Sequence, residues 1–85
     1  MIRHYNNKEI LQLLGENERR YRKALKLTQE ELAMNTGLSL STIQKFESGD
    51  ANISLQNFLN IMRATGQIEN IIQLFPQQPE NPYLK

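Results

Sequence analysis

The chain has 85 residues, enough for one domain with one modest hydrophobic core. It contains no cysteine, which excludes a disulfide framework, a thiolate metal site and a cysteine nucleophile. The formal net charge is only +1, yet seven of the ten lysines and arginines lie within residues 1–27. A basic N-terminal third is typical of a surface that faces phosphates, and equally of a solvated helix face.

No apolar run approaches the length of a membrane span, and no signal-peptide pattern opens the chain. We therefore expect a cytoplasmic protein that does not contact a membrane. The one histidine, His4, lies close to the N-terminus and is expected to be a solvated surface group. Neither a metal nor an organic cofactor is implied by the residues present.

The first predicted helix begins at a capping signal. Asn6 is expected to cap it, with Glu9 at the third helical position reaching back to the cap residue. Gly15 then marks either a break in the helix or a close contact with another element. Helical spacing resumes at Glu16 and continues to Lys26.

Two short helices joined by a tight turn are predicted next. Thr28 and Glu31 form a capping box at the start of the second helix, and Gly37 ends that helix after about two turns. Ser39 caps the third helix only two residues later, and Gly49 ends it. Two short helices with a glycine in the connecting turn are the pattern of a helix-turn-helix.

The fourth and fifth predicted helices carry apolar stripes. The stripe of the fourth helix is expected to lie in the core, and its members are Leu55, Phe58, Leu59 and Met62. The fifth helix, from about residue 68 to residue 75, carries a stripe of the same spacing formed by Ile68, Ile71, Ile72 and Phe75. So small a core does not need this second stripe, so we expect it to form the seam of a homodimer, with further core as the alternative.

Prolines end the helical pattern, because Pro76, Pro79 and Pro82 hold the chain out of helix. No strand-like alternation is found, so the predicted fold is all-α. We expect an N-terminal helical extension over residues 1–15, a helix-turn-helix domain over 16–75 and an extended, proline-rich tail over 76–85.

The middle of the chain resembles the Cro/C1-type (XRE) helix-turn-helix family. The matching stretches are Thr-Gln-Glu-Glu-Leu-Ala, Gly-Leu-Ser, Thr-Ile and Phe-Glu-Ser-Gly, at residues 28–33, 37–39, 42–43 and 46–49. The resemblance extends over about residues 16–66. It implies a five-helix, lambda-repressor-like domain whose third helix enters the major groove of double-stranded DNA.

The resemblance also implies which residues contact DNA. The positions that would face bases are Leu40, Ser41, Gln44 and Lys45. Contacts with phosphates are implied for Gln29, Thr42 and the backbone around Asn52. The basic residues of the first helix are left to contact further phosphates, with simple solvation as the alternative, and they are Arg19, Arg20 and Lys23.

Side-chain chemistry agrees with these roles. Lys45 can donate to O6 and N7 of guanine, Gln44 can make a bidentate contact with adenine, and Leu40 can lie against a thymine methyl group. Arg22 and Glu47 match a family pair that joins the first helix to the end of the third. We expect this pair to be an internal brace rather than a phosphate clamp.

These observations favour a dimeric repressor that binds a palindromic operator. Four short stretches, residues 10–15, 64–66, 71–76 and 79–84, are similar to HipB-type antitoxins. This similarity implies pairing with a HipA-type kinase toxin and autoregulation of the operon. The alternative from another class is a protein-interaction adaptor that keeps the fold without binding DNA. No nucleophile–base pair, metal cluster or glycine-rich phosphate loop supports an enzyme.

Overall fold

The computed structural model describes residues 4–50 and 52–75, which form five helices and contain no strand. The helices are α1 (Asn7–Ala24), α2 (Gln29–Thr36), α3 (Leu40–Glu47), α4 (Leu55–Ala64) and α5 (Glu69–Ile72). The predicted all-α, five-helix fold is therefore confirmed. The predicted proline-rich tail lies outside the described residues.

One continuous helix, α1, runs through Gly15. It begins at the predicted capping box, in which the Asn6 side chain accepts from the Glu9 N–H at 2.8 Å and the Glu9 carboxylate accepts from the Asn6 N–H at 3.1 Å. A β-carbon at position 15 would overlap the Phe46 carbonyl oxygen and lie 2.9 Å from that of Glu47. Of the two readings of Gly15, the structure therefore has the close contact, and the boundary predicted at residue 15 falls inside α1.

Both helices of the helix-turn-helix begin at their predicted caps. The Thr28 hydroxyl accepts from the Glu31 N–H at 3.0 Å and the Glu31 carboxylate accepts from the Thr28 N–H at 2.9 Å. The Ser39 hydroxyl accepts from the Thr42 N–H at 3.1 Å. Between the two helices Gly37 has φ 74°, a left-handed conformation that only glycine adopts without steric cost.

The core lies where α2, α3 and α4 meet. Its buried apolar residues are Leu32, Ala33, Ile43, Phe46 and Ile61. The partly buried residues packed around them are Leu14, Leu38, Ile53, Phe58 and Ala64. The rings of Phe46 and Phe58 pack with their centroids 5.8 Å apart, which joins α3 to α4.

The core stripe predicted for α4 is confirmed at Phe58, is wrong at Leu55 and omits Ile61. Leu55 is 73% exposed, and Phe58, Leu59 and Met62 are only partly buried, whereas Ile61 is fully buried. The inward face runs through Phe58, Ile61 and Thr65, one residue in each turn. Thr65 tolerates burial because its hydroxyl donates to the Ile61 carbonyl at 2.8 Å. Because this residue of the inward face is polar, the spacing of apolar residues alone does not reveal that face.

The fifth helix is shorter than predicted. It covers Glu69–Ile72 instead of residues 68–75, and no side chain caps its start. Within the predicted stripe Ile68 and Ile71 are partly buried, while Ile72 and Phe75 are 77% and 90% exposed. The end of this segment leaves three large apolar side chains in solvent, because Leu74 is also exposed.

The part of the chain that the structure describes contains no helix long and apolar enough to cross a membrane. The same residues contain no group of three or more His, Asp or Glu side chains that could hold a metal ion.

Candidate nucleic-acid interface

One face of α3 is open to solvent. Its exposed side chains are those predicted to face bases, Leu40, Ser41, Gln44 and Lys45. The opposite face is buried and holds Ile43, Phe46 and Glu47. A helix of eight residues anchored along one side leaves its other side free to enter a groove about 12 Å wide.

A buried ion pair fixes the end of α3 to α1. The Arg22 guanidinium donates from Nε to Glu47 Oε2 at 2.7 Å and from Nη2 to Oε1 at 3.1 Å. Its Nη1 donates to the Leu27 carbonyl at 2.8 Å. Arg22 and Glu47 are 6% and 8% exposed, so the arginine is positioned as an internal brace and does not face a phosphate.

Gln29 adds a third link at the same place. Its side-chain amide donates to Glu47 Oε1 at 3.0 Å, which ties the start of α2 to the end of α3. An amide nitrogen carries two hydrogens, so one remains for a phosphate. Burial alone would raise the pKa of Glu47, but the hydrogen bonds from Arg22 and Gln29 outweigh burial and hold this pKa below its usual value.

Glu18 is a second buried carboxyl group at the brace, and the sequence analysis missed it. It is 8% exposed, and neither carboxylate oxygen has a hydrogen-bond donor among the described residues. Burial, assisted by the nearby Glu47 carboxylate, raises the pKa of Glu18 to about 8. At neutral pH the group is therefore mostly protonated.

The sequence does contain a signal for this burial. Glu18 lies three residues after Gly15 and four residues before Arg22, and residues at these spacings share one helix face. Because Gly15 and Arg22 both point towards α3, the face that carries them also carries Glu18.

The predicted phosphate-contacting residues of α1 lie on the surface. Arg19, Arg20 and Lys23 are all exposed. Arg20 donates to Glu16 at 2.9 Å, and both side chains remain more than half exposed, so this ion pair contributes little to stability. Arg19 and Lys23 form no ion pair with another described residue.

The other two residues predicted to contact phosphates, Thr42 and Asn52, form hydrogen bonds within the protein. Thr42 is half-buried, and its hydroxyl shares a hydrogen bond of 2.8 Å with that of Ser39. The Asn52 N–H donates to the Asp50 carboxylate at 3.0 Å. A phosphate would therefore meet the exposed Asn52 side chain before its backbone.

Two short helices that cross over a shared core, the second with an exposed polar face, define a helix-turn-helix DNA-binding domain. The chain matches the model of the Cro/C1-type helix-turn-helix family over residues 19–69, more than half of its length. The protein belongs to this family of DNA-binding regulators. Comparison with curated proteins finds no significant match.

Proposed function

We propose that the protein is a sequence-specific transcriptional repressor that binds a palindromic operator as a homodimer, with α3 in the major groove. The observation that carries the proposal is the division of α3 into a buried face and an exposed face. The exposed face presents an amide, an ammonium, a hydroxyl and an apolar side chain, which are the groups that read base edges.

The contacts that hold α3 in place favour recognition of a base sequence over nonspecific electrostatic binding to DNA. Hydrogen bonds join Glu47 to α1 and α2, and the close approach at Gly15 places two helix backbones in contact. Both features fix where α3 lies, and side chains on a fixed helix hold their positions relative to base edges. Basic residues on α1 would add contacts with phosphates that position the domain without selecting a sequence.

Dimer formation is the second part of the proposal. Ile72 and Phe75 are large, apolar and exposed at the end of the described structure. A twofold axis near them would let the same surface meet its own copy and bury both side chains. Two copies would then contact half-sites about 34–36 Å apart, which is the geometry that a palindromic operator supplies.

Pairing with a HipA-type kinase remains a narrower proposal. It is supported by the sequence similarity of residues 10–15 and of residues within 64–84 to HipB-type antitoxins. Part of the second stretch lies outside the described residues. Copurification with the kinase-like product of a neighbouring gene would support this role, and the absence of such a gene would remove it.

The test of DNA binding substitutes Lys45→Ala and Gln44→Ala. Both side chains are exposed, so neither change opens a cavity, and we expect each to weaken binding to a selected operator by about 1–3 kcal/mol and to random DNA by less. Fluorescence anisotropy on an operator chosen from a random duplex pool measures both affinities.

Arg63→Ala is the matched control for Lys45→Ala. Arg63 is exposed near the end of α4 and lines a cleft with residues at the end of α2, away from the start of α2. The Arg63→Ala substitution removes one positive charge, as Lys45→Ala does, and should leave the affinity for the operator nearly unchanged. Equal losses on operator and random DNA would reduce Lys45 and Gln44 to phosphate contacts, and no DNA binding by the wild type would favour the adaptor.

A further inference from the structure

An apolar groove lies between α1 on one side and α4 and α5 on the other. Its volume is about 240 Å³, and its apolar walls include Leu14, Tyr21, Phe58, Met62 and Ile71. A buried apolar cavity of about 150 Å³ holds a benzene ring. The groove therefore has room for an aromatic ring with a short side chain.

Glu18 lies in the wall of this groove and is nine-tenths buried. The charged groups near it are Arg22 on α1 and Glu47 on α3, while α4 and α5 contribute only apolar and uncharged polar side chains. Arg22 is committed to Glu47 by two hydrogen bonds, so the buried cluster has two carboxyl groups and one cation. With no ligand bound, a proton on Glu18 compensates for the missing positive charge.

We propose that this groove binds a small apolar primary amine, with its hydrocarbon part against the walls and its ammonium group paired with the Glu18 carboxylate. The ammonium takes the place of the Glu18 proton, so at a pH below the pKa of Glu18 a proton is released when the amine binds. An ammonium–carboxylate contact is a charge-assisted hydrogen bond, which is about twice as strong as a hydrogen bond between neutral groups. An anionic ligand is disfavoured, because Arg22, the cation near Glu18, is already committed to Glu47 and the described residues that line the groove offer no other positive charge.

Glu18 can meet a ligand without damaging the brace. Its two carboxylate oxygens are buried and have no hydrogen-bond partner among the described residues, so amine binding requires a change of side-chain rotamer that turns them to the groove. If Glu18 turns away, Glu47 still accepts two hydrogen bonds from Arg22 and one from Gln29. Glu47 therefore keeps its hydrogen-bond donors when Glu18 turns away.

The test uses 2-phenylethylamine as the probe and 2-phenylethanol as its neutral counterpart of nearly the same shape. Heteronuclear NMR titration of the full chain at pH 8 should show the amine binding at least about tenfold more tightly than the alcohol. The shifted resonances should include those of Met62 and Ile71, which line the groove. Between pH 8 and pH 6 the amine affinity should fall by up to about tenfold per pH unit, because Glu18 must lose its proton, and the alcohol affinity should not change.

Glu18→Gln removes the charge and keeps the shape of the protonated acid, so we expect it to abolish both the preference for the amine and its pH dependence. Glu16→Gln is the matched control, since Glu16 is exposed on the same helix and should leave both unchanged. Equal binding of amine and alcohol, retention of the preference in Glu18→Gln, or no saturable binding below about 10 mM would each overturn the proposal. If Glu18→Gln fails to fold, the pH dependence of amine binding by the wild type decides alone.

Discussion

Glu47 is the residue on which three helices converge. It accepts two hydrogen bonds from Arg22 on α1 and one from Gln29 at the start of α2, while itself ending α3. The position of α3 therefore depends on one buried carboxylate. A change at this residue affects the fold first and DNA binding through the fold.

We expect Arg22→Ala to lower the free energy of unfolding by about 3–5 kcal/mol, because it leaves the Glu47 carboxylate buried without its cation. Glu47→Gln should also destabilise, and the double variant should lose less than the sum of the two single losses. Urea denaturation measures all three. Arg20→Ala breaks the exposed pair with Glu16 and should cost no more than about 0.5 kcal/mol. An Arg22→Ala variant as stable as Arg20→Ala would contradict the brace.

Glu18 makes stability depend on pH. Its pKa is about 8 in the folded protein and 4.5 ordinarily, so between these values the folded state holds more protons than the unfolded state. The stabilising contribution is complete below pH 4.5 and is lost as the pH rises towards 8. We therefore expect urea denaturation to show a lower free energy of unfolding at pH 9 than at pH 5, and Glu18→Gln to flatten this slope. Glu16→Gln should keep it, and an equal slope in both variants would assign the effect to another group.

At the scale of an element, α1 and α4 end in the same way with different residues. The chain leaves α1 through Lys26, which has φ 60°, and leaves α4 through Gly66, which has φ 74°. In both cases the N–H of this residue and of the next one donate to carbonyls of the last turn. This is the Schellman arrangement, which favours glycine because other side chains are strained there.

Lys26→Gly should therefore raise the free energy of unfolding, by about 0.5–1 kcal/mol after the greater flexibility of glycine in the unfolded chain is counted. Gly66→Lys is the reverse change, and we expect it to cost about 1 kcal/mol, since a β-carbon there meets no other atom within 4 Å and only the backbone is strained. Thermal melting of the two variants should shift in opposite directions. Shifts of the same sign would mean that lysine side-chain contacts, and not backbone conformation, decide stability at these ends.

Helix starts were predictable from sequence because a cap is a local structure. Asn6, Thr28 and Ser39 each bond to a backbone N–H three residues further on, and no distant residue is involved. The face of α4 was not predictable in the same way, because Thr65 becomes buried by bonding to its own helix. The burial of Glu18 depends on how α1 packs against α3. From sequence alone a charged residue at this position predicts exposure to solvent, whereas the fold buries it.

At the scale of the whole molecule, the proposed recognition of an extended operator rests on a second copy of the chain. One α3 of eight residues spans only a few base pairs, and Ile72 and Phe75 provide an apolar surface beyond the core. We expect Ile72→Glu to give monomers in sedimentation velocity, because it places a charge in the proposed seam, and to weaken operator binding strongly.

Gln73→Glu is the control for this change, since Gln73 is the exposed neighbour of Ile72 and acquires the same charge. It should remain dimeric and keep most of its operator affinity. A wild type that is monomeric at micromolar concentration, or an Ile72→Glu protein that is still dimeric, would show that the end of α5 is not the seam.

The contact between α1 and α3 at Gly15 has an evolutionary consequence. There the two helices meet backbone to backbone. A larger residue at position 15 therefore cannot be compensated by a smaller side chain on α3. The outward face of α3 has less constraint, because Ser41, Gln44 and Lys45 are exposed and do not belong to the core. With α3 in its proposed role, substitutions at a few exposed positions would change the DNA sequence that is read while the scaffold stays unchanged. Duplicated copies of the chain would then diverge in target without passing through an unstable intermediate.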